Sequence, residues 1–97
     1  MPTVSKEVTI INKNGLHARP AMQFVDLANE FASEVKVHKD AAGEDEEALD
    51  VDGKSVMQMI TLGAMPGTVL RITADGADAE AAVARLAGLF ESKFGEE

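Results

Sequence analysis

The segment Gly15-Leu16-His17-Ala18-Arg19-Pro20-Ala21-Met22 places a histidine and an arginine one residue apart, just ahead of a proline. Imidazole is largely neutral near pH 7 and so nucleophilic. A guanidinium presents two parallel N–H donors that match phosphate oxygens, which lysine does not copy. Pro20 is tolerated only in the first turn of a helix, so the spacing predicts a helix that begins at His17 or Ala18. The free N–H groups and dipole of a helix start attract anions. Gly15 allows a partner to approach the backbone closely. A phosphoryl acceptor and a phosphate clamp would thus sit on an anion-binding frame. An ordinary helix start with a solvated Arg19 accounts for the same residues, and spacing alone does not separate the two.

Three further features carry chemistry or contact. Ser55 precedes a short apolar-faced segment, with Gln58 at the capping-box spacing. A plain N-cap explains this serine, and a phosphorylation site is the functional alternative, since phosphate is welcome at a helix start. Met57, Met59 and Ile60 cannot all point inward from one short helix, so part of this set is expected on a docking surface. His38 falls beside Lys36 on the polar parity of a strand and is expected to be an exposed histidine without a role. It is the only other histidine and is not at ligand spacing from His17, so no metal site is expected.

With 97 residues, the chain suits one small domain. It has no cysteine, which excludes disulfides, zinc–thiolate sites and thiol catalysis. A net charge of −8 argues against nucleic acid and anionic membrane as partners. No signal-peptide pattern and no apolar run of membrane-spanning length occur, so a cytoplasmic protein is expected. The acidic residues crowd residues 40–52, a run that reads as a solvated loop.

Hydropathy patterning supplies the elements that would hold these residues. Val8 and Ile10 alternate with polar neighbours as a strand. From His17 to Phe31 the period becomes helical, with Ala21, Phe24, Val25, Ala28, Phe31 and Ala32 on the inner stripe. Val35 and Val37 mark a second strand, residues 40–48 a loop, and Leu49 and Val51 a third strand. A short helix spans Ser55 to Leu62 and stops at Gly63. Thr68 to Thr73 form a fourth strand. A last helix begins around Asp75-Gly76 and buries Ala79, Val83, Leu86 and Phe90. The order β-α-β-β-α-β-α predicts an α+β open-faced sandwich, its sheet wet on one face and covered by helices on the other.

The segment GLHARPA, residues 15 to 21, resembles the active-site signature of HPr, the histidine-containing phosphocarrier family of the bacterial phosphotransferase system. KSVMQMITLGA, residues 54 to 64, is similar to that family's regulatory serine segment, and the two occur in the family's order. The resemblance covers nearly the whole chain, so residues 1–97 are taken as one HPr-like domain. It implies an antiparallel four-stranded sheet of order 1-4-2-3 covered on one face by three helices. It implies that His17 is phosphorylated on Nδ1, with enzyme I, charged from phosphoenolpyruvate, as donor and a IIA protein or domain as acceptor. Arg19 would steady the phosphoryl group, and Ser55 would be the target of HPr kinase/phosphorylase. Leu16, Ala18, Met57 and Gln58 would lie on the docking face of a monomer that needs no cofactor. Such a protein is a carrier in a phosphorelay rather than a turnover enzyme.

Two departures stand out. The acidic segment from Asp40 to Ala48 is longer than the family's usual tight connection. Outward positions of the first helix that are lysine in some members are Asp26 and Asn29 here. A less basic docking face and an intact serine segment leave an alternative: a regulatory phosphoprotein controlled at Ser55, without sugar transport.

Overall fold

A computed structural model describes residues 2–41 and 47–95. Its elements run β1 (Thr3–Thr9), α1 (Ala18–Ala28), β2 (Glu34–Lys39), β3 (Leu49–Asp52), α2 (Val56–Thr61), β4 (Val69–Asp75), α3 (Ala79–Glu91) and a closing 3₁₀ turn (Lys93–Gly95). The strands pair antiparallel in the order β1-β4-β2-β3. The α+β sandwich and its sheet order are those expected. Among the described residues no helix is long and apolar enough to cross a membrane.

The two-residue period of each strand sends one set of side chains under the helices and the other to solvent. Val8, Val35, Val37, Val51, Leu70, Ile72 and Ala74 are buried. Opposite parities put Glu7, Lys36, Asp50 and Arg71 on the open face. The helices close over the apolar face with Ala21, Phe24, Val25 and Ala28 from α1, Met59 from α2, and Ala79, Val83, Leu86 and Phe90 from α3. Phe90 meets Phe24 and Phe94 edge-on, with ring centroids 6.0 and 4.8 Å away. Gln23 Nε2 donates to the Phe94 carbonyl at 3.2 Å, which ties the closing turn to α1.

Three boundaries differ from the patterning. Helix α1 ends at Ala28 rather than Phe31, because Asn29 Nδ2 takes the Val25 carbonyl at 3.0 Å and the next N–H groups bond three residues back. Ala32 is therefore exposed outside the helix, and its N–H donates to Asp78 at 2.8 Å. Strand β4 runs on to Asp75, since Ala74 and Asp75 still pair with both β1 and β2. Helix α3 starts at Ala79 with Asp78 as N-cap, while the Gly76 N–H is held by the Pro2 carbonyl at 3.0 Å. The core of the acidic stretch expected as a loop, residues 42–46, lies outside the described residues.

His38 is on the open face, as its parity predicts, but it is not a free surface side chain. Only 18% of it is exposed, and its two ring nitrogens meet Asp50 at 2.9 Å and Asp40 at 2.7 Å. Register places it in a cross-strand row Glu7–Arg71–His38–Asp50, the two basic side chains in the middle and a carboxylate at each end. Hydrogen bonds that the ring donates to Asp50, and then to Asp40, raise its pKa above the ordinary imidazole value.

Candidate functional site

The loop from β1 to α1 is built to present residue 17. Ile10 remains bonded to the entrance of β4, its N–H to the Thr68 carbonyl and its carbonyl to the Gly67 N–H, at 2.9 and 2.7 Å. Asn12 then closes a turn onto Gly15: the Gly15 N–H reaches the Asn12 carbonyl at 3.2 Å, and Asn12 Nδ2 donates to the Gly15 carbonyl at 2.7 Å. The Leu16 N–H donates to the Ala64 carbonyl at 3.0 Å, joining the loop to the segment that leaves α2.

Gly15 has φ +69°, and a Cβ there would stand 2.6 Å from the Ala64 carbonyl oxygen. The close approach expected of this glycine is thus made by the chain's own backbone. Leu16, expected on the docking face, is 4% exposed and belongs to the core. Its apolar side chain anchors the loop from beneath.

His17 is the N-cap of α1, extended at φ −86° and ψ −166° and half-buried, and its carbonyl accepts the Ala21 N–H at 3.1 Å. Because Pro20 brings no N–H, only Ala18 and Arg19 contribute backbone donors ahead of that bond. Ala18 and Arg19 are exposed, and the first turn carries no acidic residue. A phosphoryl group at His17 would stand at the positive dipole end of α1, with Arg19 two residues on in the same turn. The exposed large apolar side chains of these segments are Met22 on α1, Met57, which is 77% exposed, and Ile60 on α2, and Met65 just beyond. Met59 alone of the α2 set is fully buried. Gln58 is exposed. Asp26 and Asn29 are also exposed.

Ser55 caps the opposite end of α2 from the segment that meets Leu16, a helix length of about 10 Å at 1.5 Å per residue. Its side chain accepts the Gln58 N–H at 3.3 Å. The capping box is only half made. Gln58 Oε1 accepts the Asp52 N–H at 2.9 Å rather than turning back to Ser55, whose N–H goes to the Asp52 carbonyl at 3.1 Å. Asp52 also accepts the Lys54 N–H, and Lys54 Nζ donates to the Phe31 carbonyl at 2.8 Å. Among the described residues no group of three or more His, Cys, Asp or Glu side chains is placed to hold a metal ion.

Asn12, buried and bonded to Gly15 through side chain and backbone, reads in the sequence as no more than one polar member of a turn. The available signal was an asparagine three residues ahead of a glycine, the spacing at which an amide can satisfy a turn carbonyl.

The family model described as the PTS HPr component phosphorylation site matches residues 4–92. Phosphocarrier protein HPr of Neisseria meningitidis serogroup A is 40% identical over 93 residues, 96% of this chain and 97% of that protein. Its namesake in Haemophilus influenzae is 45% identical over 85 residues, 88% of this chain and 92% of that protein. Among solved structures, HPr-C-His from Thermoanaerobacter tengcongensis superposes with a TM-score of 0.80 at 42% identity, covering 100% of this chain and 99% of that one.

Proposed function

The chain belongs to the HPr family of phosphotransferase-system phosphocarriers, and from that premise we propose that His17 is its phosphoryl acceptor and donor. What supports this is the position of His17: it is the half-buried N-cap residue of α1, followed at once by the exposed Ala18 and Arg19 in a first turn without acidic residues. The phosphoryl group comes from enzyme I, itself charged from phosphoenolpyruvate. The Nδ1 lone pair of neutral His17 attacks in line as the donor's P–N bond breaks, and the electron pair stays on the departing nitrogen. The reverse geometry passes the group to a IIA protein or domain. Such a transfer asks little covalent chemistry of the protein and depends on positioning and charge compensation. Arg19 supplies the compensation through paired N–H donors. Ala18, Met57 and Gln58 belong to the docking face, and the chain works as a monomeric carrier in the cytoplasm.

Ser55 is the regulatory site of this proposal, a target for HPr kinase/phosphorylase. Its hydroxyl oxygen already occupies the cap of α2, where added phosphate finds the same backbone donors.

The experiment is direct. The chain is incubated with phosphoenolpyruvate and a cognate enzyme I, and acid-labile, base-stable phosphate is measured. Label is expected on the wild type, lost in His17→Ala and slowed about tenfold in Arg19→Lys, which keeps charge without the fork. Equal label on His17→Ala overturns the assignment. A second experiment supplies ATP and the kinase. Label on wild type but not Ser55→Ala supports the regulatory role, and if this is the only label obtained, regulation without transport is the function.

A further inference from the structure

We propose that Asn12 is a positioning residue for phosphoryl transfer at His17, an inference that rests on the phosphocarrier assignment above. The Gly15–Leu16 peptide is held at both ends. Its carbonyl takes the Asn12 Nδ2 donor at 2.7 Å, and its N–H gives to the Ala64 carbonyl at 3.0 Å. Asn12 also accepts the Gly15 N–H through its own carbonyl, so one residue grips Gly15 from both sides. The next residue, Leu16, is sunk in the core, and the residue after that is His17. Few backbone rotations are left between the pinned peptide and the imidazole.

The burial of Asn12 is what makes this more than a turn. Asn12 is 1% exposed, as deeply buried as Ile10 before it and Leu16 after it. A buried amide costs desolvation unless it is hydrogen-bonded, and an apolar residue of similar size would fill the space more favourably. A side-chain donor at this position holds the Gly15 carbonyl, which an apolar residue would leave without that bond. In-line transfer is sensitive to displacement, and a 1 Å error in a reacting group costs on the order of 100-fold. Releasing one end of the peptide should therefore slow transfer while leaving the exposed docking residues Met57 and Gln58 unchanged.

The test compares Asn12→Ala and Asn12→Ser with wild type as substrates of enzyme I, measuring kcat and KM separately. The His17 ring is titrated by NMR in each, and thermal melts check that each is folded. Asn12→Ala is expected to lower kcat about tenfold or more, with KM held within about twofold and the His17 titration curve displaced. Asn12→Ser keeps a shorter donor and should recover part of the rate. Unchanged kcat in folded Asn12→Ala overturns the proposal. So does a fall in kcat shared equally by the serine variant with the His17 titration unmoved, since that marks a purely structural role. If Asn12→Ala does not fold, the serine variant decides: kcat and His17 titration both at wild-type values overturn the proposal, and displacement of both upholds it. Failure of the wild type to take label would instead overturn the phosphocarrier assignment.

Discussion

Replacing Gly15 by alanine tests how the loop from β1 to α1 is seated. The residue has φ +69°, and the added Cβ would lie 2.6 Å from the Ala64 carbonyl oxygen and 3.2 Å from Met65 Cα. Left-handed backbone costs an L-residue about 1–2 kcal/mol, offset in part by the 0.4–1 kcal/mol that alanine gains by restricting the unfolded chain. Gly63 is the control: its φ is +56°, but the nearest atom to its Cβ would be 3.9 Å away, so only these backbone effects apply. At Gly15 the clash adds to them. Relief to ordinary contact moves the Ala64 oxygen by about 0.8 Å, and a shift of that size along the 3.0 Å Leu16–Ala64 bond carries it beyond hydrogen-bond range. A buried carbonyl or N–H left unpaired costs about 1–3 kcal/mol. Gly15→Ala should thus be less stable than Gly63→Ala by about that amount, or about 4–8 °C in Tm for each kcal/mol. A domain holding about 5–15 kcal/mol survives this, so both variants are measurable by urea unfolding. Equal destabilisation at equal m-values would refute the idea that Ala64 sets the position of the loop.

Three further outcomes follow from named contacts. The raised pKa of His38 means that its ion pairs contribute fully below the unfolded value of about 6.5 and are lost as pH rises through the folded value. Urea midpoints of wild type should fall over that alkaline interval relative to His38→Gln, and parallel curves would exclude the effect. Asp78 behaves oppositely: hydrogen bonds from Ser33 and the Ala32 N–H lower its pKa, so its contribution is present above the unfolded carboxylate value and disappears as pH falls through the folded one. Asp78→Asn should flatten the acid limb of the stability profile, and an unaltered limb would assign it elsewhere. Ser55→Ala should cost about 0.5–1 kcal/mol, the low end for a lost N-cap because the bond to the Gln58 N–H is long at 3.3 Å, whereas Ser55→Asp retains the cap. Equal unfolding midpoints for Ser55→Ala and wild type would show that the cap contributes nothing.

The strands were legible because the two faces of the sheet meet different solvents, so Val35 and Val37 alternate with Lys36 and His38 in the sequence itself. The start of α1 was legible because Pro20 fits only a first turn. Its end was not. Phe31 and Ala32 continue the apolar spacing past Asn29, where the helix stops, and the Ala32 N–H goes to Asp78, far along the chain. His38 had the right parity and the wrong exposure, since Asp50 reaches it only through β2–β3 register. Gln58 had the spacing of a capping box, yet its side chain found the Asp52 N–H instead.

By itself the sequence determined that His17 and Arg19 stand at a helix start, and the order of elements, because each depends on residues within a turn or two of one another. Only the tertiary structure decided that Leu16 is core rather than contact surface, that Gly15 accommodates Ala64, and that Asn12 is a buried clamp. Those outcomes depend on where the exit of α2 and the entrance of β4 come to rest against the loop. Contacts between chain segments so far apart are set by sheet order, register and packing, for which no local pattern of residues is sufficient.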